Sequence, residues 1–150
     1  MHIVLVNPEI PQNTGNIART CALTRSTLHL VKPLGFSIEN RYLKRAGLDY
    51  WDKVEVKLYD SFQELEQCYP DSKIYLATTK AEISYHKVVY DLDDMLVFGC
   101  ETRGLTPEIL NRHQKIRIPM LDIGRSLNLS NSVAIILYEA LRQNNFSGLR

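Results

Sequence analysis

Scarce cysteine and scattered histidine remove several functional classes at once. Cys21, Cys68 and Cys100 are odd in number, lie far apart and form no Cys-x-x-Cys pair, which argues against a disulfide framework and against structural zinc. His2, His29, His86 and His113 never fall at metal-ligand spacing, so no metal is implied. Also missing are a Gly-x-Gly-x-x-Gly fingerprint, a Gly-Lys-Ser or Gly-Lys-Thr loop and a Gly-x-Ser-x-Gly elbow. Nicotinamide, P-loop and α/β-hydrolase chemistry thereby lose their main support. No apolar run is long enough to span a membrane, and the start, Met1 to Pro8, has no basic segment of the secretory kind. These features predict a protein of the reduced cytoplasm. Charge of one sign is lacking as well: 18 Lys and Arg stand against 17 Asp and Glu, for a net charge of +1. Overall charge neither demands nor excludes a polyanionic partner, so a nucleic-acid surface must come from local clustering or from two chains together.

What is present is an ordinary globular composition, 45% hydrophobic over 150 residues, enough chain for one domain over residues 1–150 with a sizeable core. His2 to Val6 is a β-branched run ending at Asn7-Pro8, the pattern of a strand buried in a parallel sheet. Asn13 and Thr14 are suitable helix caps, and Ile17, Ala18, Cys21 and Ala22 follow at helical spacing. Further strands are predicted at Leu28 to Lys32, Val54 to Tyr59, Lys73 to Thr78, Met95 to Gly99 and Lys115 to Met120. Between them fall a short basic helix at Glu39 to Ala46 closed by Gly47, a capping-box helix from Ser61 to about Cys68, and a helix from Thr106-Pro107 to about His113. A last helix carries Val133, Ile136, Leu137, Ala140 and Leu141. Strand and helix alternate throughout, which predicts a three-layer α/β domain with a mostly parallel, six-stranded sheet.

In open parallel sheets ligands sit at the carboxyl ends of strands, and three such ends are rich in polar and glycine residues. The first runs from Asn7 to Arg19. It reads either as a turn and helix cap or as a phosphate site, since free amides and the helix dipole favour anions. Arg19 is either solvated or a fork of donors near a phosphate or ribose. The second, Phe98 to Leu105, brackets Glu101 and Arg103 with Gly99 and Gly104. A tight loop with a surface ion pair is one reading; a backbone opened for close approach of an adenine or ribose is the other. The third interleaves Ser126, Asn128, Ser130 and Asn131 with Leu127 and Leu129, which suggests a lined pocket more than a simple cap.

Taken in this order, Asn13 to Arg19, Phe98 to Leu105 and Arg125 to Asn131 resemble the three motifs of SPOUT-class RNA methyltransferases, in the branch that methylates ribose 2'-hydroxyls. With Arg45 to Trp51 added, the chain is similar to the minimal branch that acts on the wobble nucleotide of tRNA, at cytidine or uridine, without an extra RNA-binding domain. The resemblance implies a deep trefoil knot toward the C-terminal end, which general topology rules would argue against. It also implies a homodimer with its active site near the interface. S-adenosylmethionine, leaving as S-adenosylhomocysteine, would be held around Ala77, Thr78, Gly99, Glu101, Gly104, Ile118, Met120, Ser126, Leu127 and Asn128. Arg19, Asn16, Glu101, Ser130 and Asn131 would form the catalytic set. Arg19, Arg41, Lys44, Arg45, Arg103, Arg125 and Tyr138 would contact tRNA, some of them across the dimer. Two other classes compete: a non-catalytic RNA- or nucleotide-binding domain of the same fold, and a flavodoxin-like carrier, which leaves the third segment without a role.

Overall fold

The computed structural model describes residues 1–38 and 50–150. The expected helix at Glu39 to Ala46, Gly47, and the candidate RNA contacts Arg41, Lys44 and Arg45 lie outside the described residues. Six strands form one sheet: β1 (His2–Val6), β2 (Thr27–Val31), β3 (Val56–Tyr59), β4 (Ile74–Ala77), β5 (Met95–Phe98) and β6 (Gln114–Ile116). Their order is β3-β2-β1-β5-β4-β6, and every pairing is parallel, a stricter arrangement than the mostly parallel sheet read from sequence. Four α-helices are described: α1 (Pro11–Thr24), α2 (Phe62–Cys68), α3 (Pro107–Leu110) and α4 (Leu129–Gln143).

The period of two along each strand sorts side chains onto two faces. Ile3, Leu5, Leu28, Leu30, Leu96 and Phe98 pack under α1 and α4 through Ile17, Cys21, Val133, Ile136 and Leu137. Val4, Val6, Val31, Met95 and Val97 face the other way, onto Phe62 and Leu65 of α2 and Ile109 and Leu110 of α3. Burying a Leu or Ile side chain is worth roughly 1.5–3 kcal/mol, so both helical layers are anchored by strand sequence.

Local chemistry moves several boundaries. Helix α1 begins at Pro11 and is preceded by Ile10, which offers no side-chain cap; proline's fixed φ starts the helix two residues before the polar pair that looked like the cap. Asn13, Thr14 and Gly15 are therefore buried inside it. It ends at Arg25, whose φ of 55° is left-handed. At α2 the serine cap forms, with Ser61 Oγ accepting from Glu64 N–H at 3.1 Å, while the Glu64 carboxylate accepts from Asp60 N–H rather than from the cap itself. Helix α3 stops at Leu110, short of the expected His113. The sixth strand stops at Ile116 instead of reaching Met120, because the chain beyond it hydrogen-bonds the strap before β5: Arg117 N–H donates to the Ile83 carbonyl at 2.9 Å.

Candidate active site

Strands β1 and β5 are neighbours, and the chain leaves β1 toward β2 on one side and β5 toward β6 on the other. Such a switch point opens a crevice at the strand ends, and the loops after β1 and β5 meet there. Their joint is a reciprocal clasp. The Glu101 carboxylate accepts from Glu9 N–H at 2.8 Å, Ile10 N–H at 3.1 Å and Asn13 Nδ2 at 3.1 Å. In return the Glu9 carboxylate accepts from Thr102 N–H at 3.2 Å and Thr102 Oγ1 at 2.9 Å. Charge-assisted bonds of this kind are about twice as strong as neutral ones.

This clasp corrects the phosphate reading of the first segment. The amides of Asn13 and Thr14 both donate to the Ile10 carbonyl, and the anion at the approach to α1 is the chain's own Glu101. Glu101, expected in the catalytic set, thus acts as a brace that fixes one loop against another. The second segment is a tight loop by its own packing. A Cβ on Gly99 would stand 2.1 Å from the Gly104 carbonyl carbon and 2.3 Å from Leu105 N, so glycine is demanded by the chain's own backbone before any ligand is considered. Gly104 has φ +69° with open space around it, and its N–H donates to the Cys100 carbonyl at 2.9 Å. The tight-loop reading holds here, although no Glu101–Arg103 ion pair forms among the described contacts.

Asn128 ties in the third segment. Its Oδ1 accepts from Ser130 N–H at 2.9 Å, Ser130 Oγ at 2.7 Å and Asn131 N–H at 3.3 Å, capping α4. Its Nδ2 donates to Asn13 Oδ1 at 3.0 Å. Asn13 is thus the hinge pin of the site, bonded at once to Glu101 and Asn128. The sequence offered it as a helix cap and as the start of the first motif, without this role.

The three loops enclose a cleft of about 450 Å³, within the usual size of small-molecule sites. Ala77 and Thr78 enter it from the end of β4, Gly99, Glu101 and Gly104 from the loop after β5, and Ile118 and Met120 from beyond β6. Ser126, Leu127 and Asn128 close it, so all ten residues expected at the cofactor meet in one place. Arg103 and Arg125 line it as well, as do Thr79 and Lys80, which sequence reasoning missed. Arg19, Asn16, Ser130, Asn131 and Tyr138 lie outside the lining. Asn16 and Arg19 are on the exposed face of α1, with the Arg19 guanidinium 4.9 Å from the Tyr50 ring centre. Ser130 and Asn131 serve through their amides in the cap. Cys21 is fully buried in the core, and burial pushes its thiol up to about 12. Among the described residues no cluster of His, Cys, Asp and Glu could hold a metal ion.

Known proteins bear directly on this arrangement. The sequence profile of the SpoU rRNA methylase family matches residues 1–138. A Bacillus subtilis protein provisionally named a tRNA (cytidine(34)-2'-O)-methyltransferase is 50% identical, over 100% of this chain and 97% of its own length. One from Methylovorus glucosotrophus, carrying that name outright, is 46% identical over 97% of each. A solved structure described as giving insight into 2-OH methylation of C/U34 on tRNA superposes with a TM-score of 0.91 at 43% identity, covering 96% of this chain and 95% of that one. Three motif segments meeting in a cleft at the switch point of a parallel sheet, in a chain matched along nearly its whole length, place this protein in the SpoU methylase family.

Proposed function

We propose that the protein transfers a methyl group from S-adenosylmethionine to the ribose 2'-hydroxyl of the wobble nucleotide of tRNA, at cytidine or uridine. The observation that carries this reading is the convergence of all ten expected cofactor residues on one cleft joined by the Glu101–Asn13–Asn128 network. The lining suits the cofactor. Ile118 and Leu127 offer apolar surface to a base and a thioether chain, Thr78 and Ser126 offer hydroxyls to a ribose, and Lys80 and Arg103 offer charge to a carboxylate. When bound, this cofactor supplies an electrophilic methyl on a sulfonium. The chain's task is then to align the hydroxyl and to hold its surroundings while it loses a proton. Arg19 binds and orients the substrate phosphate, and its guanidinium keeps its own protons, so the hydroxyl proton passes to that phosphate or to water. The trefoil knot implied by the resemblance would lie where residues 99–105 and 117–128 converge.

Because Arg19 lies outside the cleft of its own chain, we infer that a second copy completes the site. Leu23 on α1 is 58% exposed, and Ile135 and Tyr138 on α4 are 36% and 48% exposed. They lie on the neighbouring helices that carry Arg19 and Ser130. A homodimer built on this face buries them and brings Arg19, Asn16 and Tyr138 toward the partner's cleft. We further propose that residues 1–150 act as one domain in the cytoplasm; among the described residues no helix is long and apolar enough to cross a membrane.

The test is transfer of labelled methyl from S-adenosylmethionine to tRNA lacking wobble-ribose methylation, followed by nucleoside analysis. A 2'-O-methylated wobble nucleotide that disappears with Arg19→Ala supports the reading. Cofactor binding by calorimetry with no transfer to any tRNA would leave a binding domain of the same fold in its place.

A further inference from the structure

Beside the cleft is a second depression. It shares Thr79, Met120 and Arg125 with the cleft and adds Arg117 and Asp122. Two guanidiniums and one carboxylate leave it one net positive charge. Arg117 is half-buried, and its backbone is clamped on both sides: its carbonyl accepts from Tyr85 N–H at 2.8 Å and its N–H donates to the Ile83 carbonyl at 2.9 Å. The guanidinium therefore projects from fixed backbone, unlike a cation on a free loop. Ion pairs among the described residues engage Lys32, Lys57, Lys73, Arg112, His113 and Arg142. Neither Arg117 nor Arg125 takes part in one. A weakly hydrated fork of donors, carried on fixed backbone and outside every ion pair among the described residues, is suited to a phosphate or carboxylate brought from outside.

We propose that Arg117 and Arg125 form an oxyanion subsite that grips one phosphate of the RNA backbone next to the nucleotide entering the cleft. This rests on the RNA methyltransferase reading above. The cofactor's own carboxylate has the same chemistry, but a ligand confined to the cleft meets Arg125 and not Arg117, which lines the outer depression alone. A strand crossing the mouth of the cleft reaches both. The charge left after Asp122 matches a single phosphodiester, so the subsite fixes the register of the strand without attracting polyanions broadly.

The experiment measures tRNA affinity of the full chain over a salt series from about 50 to 200 mM, for the wild type, R117A and R117K, alongside S-adenosylhomocysteine binding by calorimetry. R117A is expected to weaken tRNA binding about tenfold at low salt and to flatten the log–log salt slope by about one unit, as loss of one phosphate contact does. Its affinity for S-adenosylhomocysteine stays at the wild-type value. R117K keeps the slope while losing part of the affinity, since a point charge replaces the fork, and it carries the test if R117A fails to fold. An R117A protein with wild-type affinity and slope overturns the subsite, and does so alone if the wild type still methylates tRNA. Weakened S-adenosylhomocysteine binding at unchanged slope also overturns it, assigning the guanidinium to the cofactor. A wild type that binds no tRNA removes subsite and methyltransferase reading together.

Discussion

Asn128 Nδ2 donates to Asn13 Oδ1 at 3.0 Å, and this one bond joins the cap of the last helix to the first turn of the first helix. Asn13 uses its other side-chain atom on Glu101, so the amide belongs to both loops that border the cleft.

Asn128→Ala removes the α4 cap and this link together. A lost cap and a lost side-chain bond each cost about 1 kcal/mol, so urea unfolding should show a loss of about 2 kcal/mol. Asn128→Ser, which can still cap, should recover about half of the stability while cofactor affinity by calorimetry stays low. Equal cofactor affinity in the two variants and the wild type would remove the link to Asn13 from the site.

Gly99 and Gly104 should respond differently to alanine. At Gly99 the new methyl collides with backbone 2.1 Å away in the same loop, so Gly99→Ala should cost about 3 kcal/mol or more and abolish cofactor binding. At Gly104 there is space, and only the left-handed φ of +69° is strained, a cost of about 1 kcal/mol. Thermal melts of the two variants, with calorimetry, rank them.

His29 makes stability fall in mild acid. It is fully buried between β1 and β3, its ring bonded to His2 at 2.9 Å and to the Tyr59 hydroxyl at 3.1 Å. Burial first, then the neighbouring His2 and Lys57, hold its pKa down to about 3, and burial lowers His2 as well. The unfolded chain takes up protons below about 6.5 and the folded chain does not, so this contribution is complete above that pH and is lost as pH falls. Chemical unfolding from pH 7.5 down to 5 should show a slope approaching about 1.4 kcal/mol per unit below 6.5, reduced in His29→Gln. Glu139, held down to about 2 chiefly by its bonds to Arg142, adds its own loss only below its ordinary value of 4.5, outside this window.

Arg19→Lys separates orientation from cofactor binding. Because Arg19 stands outside the cleft lining, its S-adenosylhomocysteine affinity should equal that of the wild type, while turnover at saturating substrates falls about a hundredfold through loss of the planar fork. Near-normal turnover would show that charge alone suffices.

Leu23→Glu with Tyr138→Glu places carboxylates on the face assigned to the second copy. Sedimentation equilibrium should report a monomer with unchanged helix content, and methyl transfer should drop in parallel. A wild type that sediments as a monomer would end the dimer reading.

The sheet was legible because each strand carries its own signal: the runs beginning at His2, Thr27 and Met95 are apolar and bounded by turn residues. The end of β6 was not, since Arg117 to Met120 look as strand-like as Gln114 to Ile116 and differ only in what they pair with. The ten residues that meet in the cleft were singled out through resemblance and the strand-end rule. The roles of Glu101 and Asn13 were hidden, because nothing local to either residue reveals a partner 88 positions away. Likewise the helix cap was misplaced to Asn13, where side-chain preference pointed one way and Pro11 the other.

Contacts that span so much of the chain set when the cleft can exist. Glu101 meets Glu9 across 92 positions and Asn128 meets Asn13 across 115, so a chain still being synthesised can pair β1 with β2 long before it can close either joint. The entropy of closing such loops is recovered only once Asn128 is available. Competence to bind a ligand there therefore arrives only after Asn128 has been made, and ligand affinity reports closure of both joints more strictly than helix content does.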